Sequence, residues 1–178
     1  MARLFISACC LMLICFSNTF AQKNEMGILF GGGKLSDRND SVGSFAYTIA
    51  YSRTIAWGLG VELSVDPFTA RTSPSYVDSF GSGQLAAVYN FPSLGKDRTL
   101  IPYVSAGAGR VSTDFLDIPG EFIYRYGGGV KYYFGDESPF GIRMEVRDEI
   151  TRKGRQPYPL QGSRVSLVTV RAGLAWRF

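Results

Sequence analysis

Histidine is absent from the 178-residue chain, so serine-histidine, cysteine-histidine and histidine-metal chemistry have neither base nor imidazole ligand. The three cysteines, Cys9, Cys10 and Cys15, all fall in the first fifteen residues. The groups left to do chemistry are charged: Glu62, Glu121, Glu145 and Glu149 among the acids, Arg125, Lys131, Arg143, Arg147 and Arg171 among the bases. A carboxylate mechanism from Glu62 or Glu145 is conceivable, but four acids against five bases suit mutual neutralisation better. Gly81-Ser82-Gly83-Gln84-Leu85-Ala86 superficially fits a dinucleotide fingerprint, yet no helix follows it and its period is two. Asp37, Asn39 and Asp40 offer oxygen ligands at a spacing that matches no calcium loop, so they read as solvated turn residues. No metal, no cofactor and no catalysis are expected.

Whether those charges form a site depends on the elements that hold them. WGLGVELSVD puts Trp57, Leu59, Val61, Leu63 and Val65 opposite Gly58, Gly60, Glu62, Ser64 and Asp66, a two-residue period. SFAYTIAYS repeats it. EFIYRYGGGVKYYF sets Phe122, Tyr124, Tyr126, Val130 and Tyr132 against Glu121, Arg125, Gly127, Gly129 and Lys131. FGIRMEVRDE sets Ile142, Met144 and Val146 against Arg143, Glu145 and Arg147. Residues 25–34, 80–91 and 100–110 fit with less contrast, and VSLVTVRAGLAWRF is the last strand. The fold expected is all-β: an eight-stranded up-and-down antiparallel transmembrane β-barrel. Its 21 glycines, 10 tyrosines and 13 phenylalanines agree.

Arg3, the apolar run Leu4–Phe16 and the small residues Thr19 and Ala21 read as a secretory signal peptide over residues 1–21. The alternative, a lipoprotein box at Ile6-Ser7-Ala8-Cys9, leaves almost no apolar stretch before its cysteine. Residues 22–178 then form one barrel domain. Short links are expected at Arg53–Ala56, Pro92–Thr99 and Gly135–Pro139, on the periplasmic side. Longer ones are expected at Leu35–Ser41, Pro67–Ser79, Val111–Pro119 and Thr151–Gly162, outside the cell. A formal net charge of +4 is too mild and too evenly spread for nucleic acid.

Alternation leaves open which face looks out. Small residues crowd the charged face, as a narrow lumen requires, and the apolar face carries more rings than an eight-stranded interior can hold. Aromatics also gather near the short links: Tyr51, Trp57, Phe91, Tyr103, Phe134, Phe140, Trp176 and Phe178, as in a membrane-boundary girdle. Rings therefore face lipid, and the ionic groups face a lumen they close as a polar network.

The PYVSAGAG stretch, the GIRMEVRDE strand and the terminal AGLAWRF resemble the outer-membrane β-barrel domain family. It includes the transmembrane domain of outer-membrane protein A and the opacity-type surface proteins. The resemblance covers residues 25–178 and implies a monomer of the bacterial outer membrane with a structural or surface-interaction role. It also implies that Leu174, Trp176 and Phe178 are read by the outer-membrane assembly machinery. No peptidoglycan-binding domain follows the barrel, so cell-wall tethering is not expected. Outer-membrane lipids are the expected partners; Arg152, Lys153 and Arg155 read first as part of a solvated polar loop, with pairing to lipopolysaccharide phosphates as the alternative. The competing readings are a soluble periplasmic lipocalin-like binder of an apolar ligand and a small-barrel lipid-modifying enzyme, the latter weakened by the missing histidine.

Overall fold

A computed structural model describes residues 24–36, 41–73, 76–94, 99–112, 121–135, 138–151 and 166–178. They form eight strands: β1 (Asn24–Ser36), β2 (Ser41–Ala56), β3 (Leu59–Ser73), β4 (Tyr76–Asn90), β5 (Leu100–Ser112), β6 (Glu121–Tyr133), β7 (Phe140–Thr151) and β8 (Ser166–Arg177). Each pairs antiparallel with the next, and β8 returns to β1 to close the barrel. Closure leaves no free sheet edge, which is what lets a sheet sit in hydrocarbon with every backbone group paired.

Strand ends differ from expectation at two places, and one ring faces the other way. The first short link is a two-residue turn, Trp57-Gly58, and Arg53–Ala56 belong to β2. Thr54 and Ala56 flank a register shift there, so the backbone reverses later than the polar residues suggest. The expected loop Pro67–Ser79 is largely strand: Pro67 pairs with Gly81 and the ladder continues to Ser73 and Tyr76. Proline's missing N–H removes one possible ladder bond without ending the strand. Finally, Tyr103 lies inside the barrel.

The outer wall is apolar. On β8 the residues Val168, Val170, Ala172, Leu174, Trp176 and Phe178 face out and Leu167, Thr169 and Arg171 face in. At a rise of about 3.3 Å per residue and a tilt of about 40°, the run from Val168 spans about 25 Å, the height of a membrane barrel's lipid-facing band. A soluble barrel inverts this arrangement. Near the long-link end Asp148 lies on the outer wall, where the hydroxyls of Tyr126 and Ser166 donate to it, the latter at 2.6 Å. At the short-link end rings collect: Phe140 stacks on Trp176 at 6.4 Å and Trp176 meets Phe178 at 4.9 Å. Such rings suit the boundary between hydrocarbon and headgroups.

Small residues let the strands approach at the closing seam. A Cβ on Gly173 would lie 1.9 Å from the carbonyl oxygen of Ile28 and 2.6 Å from the Cα of Leu29. Both belong to the backbone of β1, so neither can give way.

Candidate functional site

The inner wall carries the charges because each sits at the parity opposite the lipid-facing residues. Glu62, Ser64 and Asp66 project from β3, Arg125 and Lys131 from β6, Arg143, Glu145, Arg147 and Glu149 from β7, and Arg171 from β8, all buried. β3 lies three strands from β6 and four from β7, so contacts between them cross the lumen. Glu62 is the central strut: one carboxylate oxygen accepts from Arg125 at 2.5 Å and the other from Arg143 at 2.7 Å. Neither Glu62 nor Arg125 exposes any side-chain surface.

Arg143 carries the network in two further directions. Its second Nη donates to Glu145 at 2.8 Å and its Nε to the Tyr103 hydroxyl at 2.8 Å, which in turn donates to Glu145 at 2.8 Å. At 3.5 Å it also meets Glu25, which accepts from Lys131 at 2.8 Å and from the Tyr133 hydroxyl at 2.6 Å. Toward the long links, Asp66 accepts from Arg147 at 2.8 Å and from Arg171 at 2.6 Å. Thr48 and Ser64 add donors to Asp66 at 2.5 and 2.8 Å. Arg147 also lies 2.7 Å from Glu145, and Arg171 reaches Glu149 at 3.3 Å.

Among the members of this network that sequence reasoning missed are Glu25, Asp66, Tyr103 and Tyr133, and it placed Tyr103 on the outer wall. Glu25 stands at the start of β1 in a stretch of weak contrast, although it shares parity with buried Leu29. Asp66 stands on the polar face of its segment, at its last position before the expected loop Pro67–Ser79, and is not among the inward charges expected from sequence. Tyr103 was expected in the lipid-facing girdle, yet Val104 is the exposed neighbour and Tyr103 faces inward. A ring whose hydroxyl both donates and accepts between buried charges can be housed there. With Glu25 and Asp66 included, the five buried bases meet five buried acids among the described residues.

The remaining expected residues divide in two. Leu174, Trp176 and Phe178 lie on the outer face of β8 and just beyond its end. Arg152, Lys153 and Arg155 lie outside the described residues, as do the side chain of Glu121 and residues 1–23.

The charges are unevenly shared between the two halves of the barrel. Among the described residues, β1–β4 contribute Glu25, Glu62 and Asp66 and no buried cation, whereas β5–β8 contribute all five cations against Glu145 and Glu149. The halves therefore neutralise each other only across the lumen.

This arrangement is suited to bracing. The three central arginines each bind two or more carboxylates, which leaves no carboxylate of the centre aimed at an open space. A cavity of about 130 Å³ does open at the short-link mouth, lined by Glu25, Lys131, Tyr133 and Arg177 with Asn24, Thr54, Asn90 and Ile101. Among the described residues no group of histidine, cysteine and carboxylate side chains could hold a metal. Replacing Tyr103 by Phe keeps the ring but removes the hydroxyl shared by Arg143 and Glu145. The expected loss is about 1–3 kcal/mol in equilibrium urea unfolding from lipid vesicles, since buried partners are left unsatisfied.

No protein-family model matches this sequence, and no curated protein does either. Solved structures do match. Neisserial surface protein A superposes with a TM-score of 0.69 at 17% identity, over 90% of this chain and all of that one (100%). The N-terminal β-barrel domain of OprF from Pseudomonas aeruginosa gives 0.54 at 17% identity, over 89% and 100%. Ail, the attachment invasion locus protein of Yersinia pestis, gives 0.51 at 14% identity, over 88% and 100%. At such identities the likeness is one of fold: an all-antiparallel, eight-stranded, transmembrane up-and-down barrel of the kind found in outer-membrane proteins, as the strand texture of the sequence resembles.

Proposed function

We propose that this chain is an exported, integral protein of the bacterial outer membrane, where it serves as a sealed structural barrel that presents its longer links at the cell surface. The observation that carries the reading is the Glu62-centred set of ion pairs spanning the lumen while the rings and branched aliphatics face out. An open pore needs a water-filled axis, and an eight-stranded barrel has room only for its own side chains. A catalyst needs a group with unfinished chemistry, and the central charges are already engaged with one another.

In this reading residues 1–21 are removed on export and the short links face the periplasm. Leu174, Trp176 and Phe178 form the element that the assembly machinery engages, on the strand that closes onto β1. Basic groups at Arg152, Lys153 and Arg155 meet the phosphates of lipopolysaccharide, and the barrel acts as a monomer. The support for these finer points is the sequence pattern and the placement of β8, and each is open to direct trial.

Fractionation tests the whole. The protein should stay with outer membranes after a high-salt wash and run at a different apparent mass in gels with and without boiling. Purified and inserted into planar bilayers, it should give no steady conductance steps. Recovery in the soluble periplasmic fraction would refute the membrane reading, and a stable stepwise conductance would refute the sealed lumen.

A further inference from the structure

We propose that the β1–β8 seam carries a releasable latch at its short-link end, with Tyr133 of β6 as the post. Its hydroxyl holds the Glu25 carboxylate of β1, and its ring holds the Arg177 guanidinium of β8. The inference needs the closed barrel alone and goes beyond its role as a sealed support. Glu25 stands opposite Arg177 across the seam. Its carboxylate nevertheless reaches past β8 and β7 to β6, where the Tyr133 hydroxyl donates to it at 2.6 Å and Lys131 at 2.8 Å. The Arg177 guanidinium lies 4.2 Å from the centre of the Tyr133 ring, within cation–π range. It also donates to the carbonyls of Ser138 and Gly135, at 2.8 and 3.1 Å. One side chain thus ties both edges of the seam to the β6–β7 hairpin.

β1 has little else to grip with. Its inner face runs Glu25, Gly27, Leu29, Gly31 and Gly33. Among the described residues Glu25 is therefore the one hydrogen-bonding side chain that β1 sends into the lumen. The glycines cannot be replaced by better grips, because β8 crowds them: a Cβ on Gly31 would lie 2.0 Å from the Val170 carbonyl oxygen. Apart from Leu29, the rest of the hold on β1 is its two backbone ladders.

This contact is also half made, unlike the Glu62 strut. Oε2 of Glu25 accepts both hydrogen bonds, whereas Oε1 has no hydrogen-bond partner among the described residues and meets Arg143 only at 3.5 Å. Glu25, Lys131, Tyr133 and Arg177 all line the cavity of about 130 Å³ at the short-link mouth, which is large enough for several waters. A carboxylate that lets go of Tyr133 and Lys131 therefore moves into a polar space that water can fill, and it escapes the cost of a charge stranded in a dry interior. Glu62 exposes no side-chain surface and has no such retreat. The seam accordingly opens from the short-link end, with β1 as the strand that peels.

Amide hydrogen exchange of the barrel in phosphatidylcholine vesicles, read by mass spectrometry, tests the latch locally. Tyr133→Phe keeps the ring beneath Arg177 and removes the hydroxyl. Glu25→Ala removes the carboxylate. In Tyr133→Phe, peptides from the short-link halves of β1 and β8 should exchange about tenfold faster than in the unaltered protein, the scale of one lost hydrogen bond to a charged group. In Glu25→Ala the same peptides should exchange faster still, and in both variants the β3–β4 ladder should keep its rate. Gln84→Leu is the control: it removes a buried hydrogen-bonding side chain from β4 and should leave the seam rates as they are. Unchanged seam rates in Tyr133→Phe would overturn the latch. So would a rise of equal size in the β3–β4 peptides, or a seam that Gln84→Leu loosens as much, since either marks general softening of the barrel. If Glu25→Ala gives no folded protein, Tyr133→Phe decides alone.

Discussion

Glu62→Leu should lower the stability of the barrel in lipid vesicles by about 3–5 kcal/mol, the range for removing one partner from a buried charge set. The side chain is fully buried, and its two oxygens hold Arg125 at 2.5 Å and Arg143 at 2.7 Å. Leucine fills the space but leaves Arg125, among the described residues, with only Ser64 and Gln84 as hydrogen-bond partners. Arg143 keeps Glu145 and Tyr103, so most of the loss should trace to Arg125. Adding Arg125→Met to the same chain should therefore recover part of it, a coupling that a double-mutant cycle reads directly. Equilibrium urea unfolding followed by tryptophan fluorescence makes the measurement. A loss below about 1 kcal/mol, the scale of a solvated surface pair, would show that the lumen is wet and the strut dispensable.

Gly173→Val should abolish closure altogether. The added Cβ would meet backbone atoms of β1 at 1.9 and 2.6 Å, so the seam has to part, and an open seam in hydrocarbon strands unpaired backbone groups. The expected readout is loss of the compact species in unboiled gels. Gly83→Ala is the matched control, because a Cβ there meets nothing within 4 Å. It should leave the compact species intact and shift stability by no more than about 0.5 kcal/mol. Equal behaviour of the two variants would mean that the β1–β8 approach is looser than described.

Much of the fold was legible because solvation by lipid on one face and by a narrow lumen on the other imposes a period of two that no helix shares. Arg143, Glu145 and Arg147 announce their inward direction through Ile142, Met144 and Val146 between them. Where both faces carry similar residues the signal fades. Tyr103 follows Pro102 and precedes Val104, and a ring in such company looks lipid-facing until the register fixes its parity. Glu25 and Asp66 were obscured for a related reason, one at a strand start and the other beside a proline. Which charge meets which was not legible. Glu62 meets Arg125 across 63 positions and Glu25 meets Lys131 across 106, and only closure of the sheet determines which strands face one another. The turn at Trp57 also escaped, since a tryptophan in a left-handed turn contradicts local preference.

The division of lumen charge between the two halves governs how such a chain can enter a bilayer. A partly inserted sheet ending at β4 would present Glu25, Glu62 and Asp66 to hydrocarbon with, among the described residues, no buried cation of its own. Hairpins β5–β8 alone would present the opposite surplus. Stepwise insertion from either end thus passes through species with several kcal/mol of uncompensated charge. Wetting during assembly, or arrival of the last hairpins before the first ones leave water, would remove that barrier.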